Sequence, residues 1–406
     1  MYVQGVRALY AFDGYVVDAI RMEPYIAEVK LRPDRRRTIR CSACGGRMSV
    51  SRQVPQFARD LALGPLPLVL IRYQAVQGRC RACGRYETKH PPGIEPRHRA
   101  TWRLMRYVSR LCRFMPIQRV TELVPINETV ARRWDKKVLM QTLPEPNLDE
   151  LEVLLVDEKS IGKRHQYATL VMNGQTGELL HLAEGKKKQS LQSFFDRLTP
   201  EQKQRIQAVG IDRNGAYREV VREQIPDAKV VYDKFHLIAN YNKVIDDVRR
   251  SEWRKAKAED KAVIKGQRFI LLKNPENRTA EDNERLEELV RLNANIATVE
   301  VLKDDLRKLW TYTYRAWAER HLHRWVDWAL STSIGPLRRF ARGLLAAKDE
   351  VLDYCKHPIT TGRLEAFNNV VSRLIHRGCG VRDIEYLLLK LRQESLPEHP
   401  DACLQN

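Results

Sequence analysis

The chain has 406 residues, 43% hydrophobic and 30% charged, which is too long for one ordinary core and too apolar for a disordered protein. Its 71 Lys and Arg against 51 Asp and Glu leave a formal charge of +20 and a pI near 9.7, so a polyanion, and most naturally a nucleic acid, is the expected partner. No segment has the apolar length of a membrane helix and the first ten residues lack the basic start and apolar core of a leader, so no membrane partner and a cytoplasmic location are expected. Eight cysteines in this length do not make a disulfide scaffold.

Residues 8–13 (ALYAFD) and 25–31 (YIAEVKL) read as short strands between polar turns. Cys41 and Cys44 then form one CxxC followed by Gly, and Cys80 and Cys83 form a second. Paired knuckles of this kind place four thiolates around a structural Zn²⁺, because each glycine lets backbone N–H groups turn toward sulfur. A redox pair would need only one CxxC. The stretch between them, notably 67–76 (PLVLIRYQAV), reads as strands of a zinc ribbon. Cys112, Cys355, Cys379 and Cys403 lack such spacing and read as core or incidental thiols.

From Arg97 to Lys137 there are 11 Lys or Arg and 3 Asp or Glu, the most basic stretch of the chain. Leu104, Tyr107, Val108, Leu111 and Met115 recur at helical spacing, a short helix follows over 117–124, and Asn127 can cap a third over 128–140. The third helix carries Arg132, Arg133, Lys136 and Lys137, and Arg119 lies on the second. This is the outline of a helix-turn-helix, whose last helix enters the major groove while cations bind phosphate. A helical hairpin with a solvated charged face has the same outline.

Beyond the break at Pro144 and Pro146, residues 153–158 (VLLVDE) read as a buried strand ending on Asp157 and Glu158, and 206–212 (IQAVGID) as another ending on Asp212. A hairpin over 167–183, a helix over 189–197, a helix over 217–224, the strand 229–232 and then Asp233 to His236 (DKFH) complete the order of a ribonuclease-H-like sheet. That order sets Asp157 and Asp212 side by side at one sheet edge. Residues 237–356 read as helix almost throughout, with Trp310, Trp317, Trp325 and Trp328 at spacings that suit a helix core. The helix after Pro358 carries Glu365, with Arg363, Asn368 and Asn369 beside it. Phosphoryl transfer on two metal ions needs about three carboxylates, and Asp157, Asp212 and Glu365 are the set that fits.

In these stretches, 156–160 (VDEKS), 210–217 (GIDRNGAY), 233–236 (DKFH) and 362–380 (GRLEAFNNVVSRLIHRGCG), preceded by the CxxCG pair and the basic helices, the chain resembles the ISL3 family of DDE transposases of bacterial insertion sequences. The resemblance spans nearly the whole chain. It implies an α+β multidomain protein: a zinc-binding, β-rich domain in residues 1–95, a helix-turn-helix in 96–145, a ribonuclease-H-like core in 146–240 completed by 358–406, and an all-helical insertion in 241–357. It also implies DNA strand cleavage and joining, with Asp157, Asp212 and Glu365 holding two Mg²⁺ or Mn²⁺ ions. Double-stranded DNA, as terminal inverted repeats and target, is then the partner, bound by a homo-oligomer associated with the bacterial nucleoid. Asp233 and His236 would lie behind the ligands or touch the DNA end. Two other classes remain open on the residues alone. One is a non-catalytic DNA-binding regulator, against which an intact acid set argues; the other is a nuclease that cuts without joining.

Overall fold

The computed structural model describes residues 8–64, 66–162, 166–212, 215–265, 267–359, 362–378 and 383–396. Cys379, Cys403 and residues 213–214 of the GIDRNGAY stretch lie outside the described residues. The chain forms two units, one running to Pro144 and taking up the chain again from Leu374, the other comprising Glu145–Arg373.

In the first unit, β1 (Tyr15–Met22), β2 (Ile26–Pro33), β3 (Met48–Asp60), β4 (Leu68–Cys80), β5 (Tyr86–Lys89), β6 (Ile94–Glu95) and β7 (Ala100–Thr101) make one sheet in the order β1-β2-β4-β3-β7-β6, with β5 on β4. Its spine is the long antiparallel β3–β4 hairpin. Val69, Ile71, Tyr73 and Ala75 alternate along β4 and are buried, facing Val29, Leu31 and Ala58. The strand expected over 8–13 is absent: residues 8–10 form a helical turn, and the sheet starts only after Gly14, whose φ of +76° turns the chain into β1. Tyr10 instead buries its ring under the Arg103 guanidinium, 5.1 Å from the centroid.

Three helices follow: α1 (Trp102–Phe114), α2 (Ile117–Leu123) and α3 (Glu128–Thr142). Thr101 caps α1 through Leu104 N–H and Asn127 caps α3 through Val130 N–H, so each starts where its capping residue allows. Leu104, Met105, Val108, Val120, Ala131 and Trp134 bury the shared face. Under them Asp135 is fully buried, accepting from Ser109 at 2.6 Å and from Tyr386, and paired with Lys390 at 3.2 Å. Tyr386 and Lys390 belong to the C-terminal helix Ile384–Ser395, which thus packs on α3 within this unit.

The second unit contains β8 (Val153–Ser160), β9 (Tyr167–Asn173), β10 (Leu179–Glu184), β11 (Ala208–Ile211) and β12 (Lys229–Tyr232), in the order β10-β9-β8-β11-β12. The first three are antiparallel and β11 and β12 join in parallel, with Ile211 level with Val156 on one side and Tyr232 on the other. Leu154–Val156 of β8, all of β11 and Val230–Tyr232 of β12 are buried, which is why they read as continuous apolar runs. Gly210 is required in β11, since a Cβ there would stand 2.8 Å from Ile359 and 2.9 Å from Leu155. Around the sheet lie α4 (Lys188–Phe195), α5 (Pro200–Arg205) and α6 (Gly215–Gln224).

From β12 the chain enters α7 (Lys234–Lys255), which leads into a helical region of α8 (Ala258–Ile264), α9 (Arg268–Leu272), α10 (Ala280–Leu292), α11 (Ala294–Arg307), α12 (Arg315–Ser331), α13 (Gly335–Ala346) and α14 (Lys348–Leu352). Tyr241, Trp325 and Phe340 meet edge to face at its centre, and the buried Trp325 and Tyr241 donate to the carbonyls of Leu302 and Val299, both at 2.8 Å. Trp310 is half-buried, but Trp317 and Trp328 are 58% and 43% exposed, so helical spacing placed only part of the tryptophan set in the core. The last helix of this unit is α15 (Gly362–Arg377), whose Leu364, Phe367 and Val371 face inward.

Candidate active site and metal centre

Parallel pairing at matched register brings three acids level with one another in the second sheet, although β8 does not end on Asp157 and Glu158 as its sequence suggested but runs on, paired with β9, to Ser160. Asp157 follows Val156 in β8, Asp212 follows Ile211, and Asp233 follows Tyr232 with its N–H on the Ile211 carbonyl at 3.2 Å. Burial raises the Asp157 carboxyl above the ordinary range and the nearby Asp212 charge adds to this. Opposing it are the Asn368 amide, the Glu158 N–H and the His236 charge. Asn368 Nδ2 donates to Asp157 Oδ2 at 2.6 Å and Glu158 N–H to Oδ1 at 2.7 Å, so each carboxylate oxygen is oriented by one donor.

Asp233 is almost completely buried at the start of α7, where it caps the helix through Phe235 N–H at 3.0 Å and accepts from His236 Nδ1 at 2.8 Å. That hydrogen bond, against the effect of burial and with the Asp212, Asp233 and Asp157 charges adding, raises His236 to about 9. At neutral pH it is therefore an imidazolium among three acids. The folded value lies above the ordinary 6.5, so the pair's stabilising contribution is complete below about pH 6.5 and is lost as pH rises through 9. In chelator-containing buffer, the stability advantage of the wild-type chain over His236→Gln in urea melts is expected to shrink between those limits. An advantage that grew with pH would contradict the assignment.

Glu365 lies three residues before Asn368, hence on the same side of α15 and one turn from the residue that touches Asp157; its side chain is exposed. Among the described residues only the four cysteines have their ligand atoms closed to within 4.8 Å, so Asp157, Asp212 and Glu365 are not gathered to that distance as a group. Arg363 is not brought to the acids: it donates to the carbonyls of Gly174 and Gln175 and so braces the β9–β10 turn. Asn369 is exposed beside Asn368. Glu158, one residue on from Asp157 in a strand, belongs to the other face of the sheet. Tyr217 is a buried phenol pushed up to about 12, mainly by burial, with the Glu158 charge and, less, the Asp157 charge adding. Tyr217 meets Thr169 Oγ1 at 2.6 Å, which meets Ser190 at 2.7 Å. No motif pointed to this buried hydroxyl chain; the signal was Thr169 in an otherwise apolar strand.

The four cysteines lie in the loops flanking the base of the β3–β4 hairpin, and the two loops repeat one another. Gly45 N–H bonds the Cys41 carbonyl and Gly84 N–H that of Cys80, at 3.0 and 3.1 Å. Arg40 and Arg79 donate to the Gly45 and Gly84 carbonyls. Both glycines have φ just above +70°, the left-handed region this turn requires. Cys41 and Cys83 sulfurs are 3.7 Å apart and Cys44 and Cys80 sulfurs 3.4 Å, close to the ~3.8 Å separation that tetrahedral Zn–S bonds of about 2.3 Å give. The N–H groups of Cys83 and Ala82 lower Cys80 to about 6. Cys44 receives the Gly46 N–H, but the crowding sulfurs of Cys80, Cys83 and Cys41 outweigh it and push the thiol up to about 12. Four thiolates cannot coexist here without a cation, and the donor set suits Zn²⁺ with no open position.

Of the basic residues on the three helices, Arg119 is held by Glu122 at 2.9 and 3.0 Å, and Lys136 by Asp383 and Glu385 at 2.8 and 2.7 Å. Arg132 is half-buried in a cavity lined also by Asp383 and Tyr386. Arg133 is exposed, and it, Lys137 and Arg97 act together on His98, whose value burial and these cations lower. Arg99, next in the chain, adopts φ 49° and stacks its guanidinium over Phe57 at 5.0 Å. The cations thus collect where the β6–β7 turn meets α3.

The class of the chain, a transposase, comes from comparison with known proteins. A DDE transposase family of the ISL3 type matches residues 154–391. The chain is 31% identical over 394 residues to the transposase for insertion sequence element IS1001 of Bordetella parapertussis, covering 95% of this chain and 97% of that protein. It is 27% identical over 259 residues, 57% of each chain, to the transposase for insertion sequence element IS1557 of Mycobacterium tuberculosis. The chain belongs to the ISL3 family of transposases.

Proposed function

We propose that this transposase cuts and joins DNA at the ends of its own insertion sequence, with Asp157, Asp212 and Glu365 holding two Mg²⁺ or Mn²⁺ ions. The observation that supports the reading is the Asn368 to Asp157 hydrogen bond, made one helical turn from Glu365. Ions held there would activate the attacking oxygen and stabilise the leaving one. Asn368 and the Glu158 N–H fix the Asp157 carboxylate, and His236, oriented by Asp233, offsets the charge of that acid and lessens repulsion toward Asp157 and Asp212 until cations bind. Incubating the purified protein with its element ends and Mg²⁺, then mapping cut and joined strands, tests this. Binding without cleavage would favour a regulator, and cleavage without joining a nuclease.

End recognition belongs in this reading to residues 96–145, with α2 and α3 as the helix-turn-helix and a structural Zn²⁺ on Cys41, Cys44, Cys80 and Cys83 bracing the sheet before them. Lys136 and Arg119 already have acidic partners, so the phosphate contacts fall to Arg133 and Lys137 with Arg97. Arg133→Ala with Lys137→Ala is expected to weaken end binding and reduce the slope of log affinity against log salt by about two units, one per lost phosphate contact. Lys136→Ala should leave the slope nearly unchanged. If it lowered the slope as much as the pair, the placement would be wrong.

A further inference from the structure

The helical region has a face that neither the acid set nor the basic helices account for. On α12, Trp317 and Trp328 are eleven residues apart, three helical turns, and so lie on one side about 16 Å from each other. Between them on that side stand Arg320 and Arg324, both exposed, with the Arg320 guanidinium over the Trp317 ring at 5.1 Å. Tyr314, 73% exposed, precedes them. The next helix, α13, adds the exposed Arg338 and Arg342 one turn apart. Across residues 315–346 there are six arginines, of which Arg315 is held by Asp349 and Asp353, and two acids, Glu319 and Asp327, of which Glu319 is paired with Lys348 at 2.8 Å.

Two tryptophans left nearly half or more exposed on one helix side with arginines between them offer rings and charge together, and the charge of the face selects the partner. A second copy of this chain would set arginines against arginines. A polyanion with stackable rings satisfies both features: arginines for phosphate, indoles for bases. Duplex DNA keeps its base faces stacked on one another, so the match is to unpaired nucleotides. The face is also tied to the acid set. Arg315, in the first turn of α12, bonds Asp349 and Asp353, each at 2.5 Å; Tyr354, next to Asp353, lies under Lys234, 5.7 Å from ring to ammonium; and Lys234 follows Asp233.

We infer that the Trp317, Arg320, Arg324 and Trp328 face of α12 binds a short unpaired DNA strand leading to or from the acid set. The inference rests on the chain acting on DNA, but not on the acid set being correct. The test is fluorescence anisotropy with the full chain, a labelled twelve-residue oligo-dT and a blunt duplex carrying the element end, in EDTA, where catalysis plays no part. Trp317→Ala with Trp328→Ala is expected to weaken oligo-dT binding about tenfold or more and change duplex binding less than twofold. Trp317→Phe with Trp328→Phe should restore most of it, because a ring remains, and Arg320→Ala with Arg324→Ala should weaken it and flatten its salt dependence. Melting temperature and far-UV circular dichroism identify any variant that merely fails to fold; in that case the Phe pair and the Arg pair decide. Oligo-dT binding by the Ala pair within twofold of wild type would overturn the inference. So would a fall in the mass of the oligomer in ultracentrifugation without loss of oligo-dT binding, which would assign the face to a second copy. Failure of Asp157→Asn to affect strand cleavage would sink the acid assignment and leave these binding results standing.

Discussion

Asp157→Ala is expected to reduce strand cleavage and joining by on the order of 10⁴-fold or more while element-end binding stays within about twofold. The first half follows from the acid set: Asp157 is held by Asn368 and the Glu158 N–H so that both of its oxygens have one oriented donor and remaining lone pairs for a cation. The second half follows from the cations to which the proposed reading assigns the phosphate contacts, which lie on other elements, Arg97 before β7 and Arg133 and Lys137 on α3. Groups that act as one unit are not additive, so adding Asp212→Ala or Glu365→Ala to Asp157→Ala should cost little more. Stability should move the other way. Burial raises the Asp157 carboxyl, so the folded chain disfavours its charged form, and Asp157→Asn in EDTA is expected to raise Tm at neutral pH. A purely structural acid would lower Tm on substitution. Glu158→Ala is the internal control, because its side chain belongs to the other face of the sheet. Loss of cleavage in Glu158→Ala with near-normal cleavage in Glu365→Ala would withdraw the assignment.

What could be read in the sequence was what local pattern determines. Leu154–Val156 of β8, all of β11 and Val230–Tyr232 of β12 are buried, so each appears as an apolar run that stops at an acid, and the alternation of helix and strand then orders the sheet. Asn127 could be read as a cap because capping is decided within three residues. The cysteine cluster could be read because the knuckle glycines are adjacent to their cysteines. Where reading failed, the deciding partner was distant. Lys136 looked like a solvent-facing cation until Asp383 and Glu385, some 250 residues on, were found against it. Helical spacing marks which tryptophans share a face but not whether another helix covers that face, so Trp325 and Trp317 were indistinguishable until the packing was known. Arg363 looked like a neighbour of the acids because it is two residues from Glu365. On a helix two residues is about 200°, the opposite side, and there it meets the β9–β10 turn.

Removing the cysteine-bound metal is expected to unravel one end of the first sheet rather than all of it. Cys41, Met48 and Cys80, with Ile39 packed against them, make a small cluster of their own at the base of the β3–β4 hairpin, separate from the core of Val29, Leu31, Val69, Ile71 and Tyr73. Burying so few side chains stabilises by about 1.5–3 kcal/mol each at most, while ordering the backbone of the two knuckle loops costs about 1–2 kcal/mol per residue, so the loops cannot hold their shape through apolar contact alone. In the proposed reading zinc held by four thiolates supplies the difference, on the order of 10 kcal/mol in small zinc domains. Purified protein should therefore contain about one Zn²⁺ per chain, and Cys80→Ser should lose it. In hydrogen exchange, amides of 41–48 and 80–87 should lose protection in Cys80→Ser or after chelation, while those of 69–75 and of 153–158 keep theirs. Gly45→Ala should do the same more weakly, because φ of +71° strains any residue with a Cβ. Protein that carried no zinc when purified without chelators, yet protected both knuckle loops, would mean that the thiols alone hold this end of the sheet and that the metal assignment is wrong.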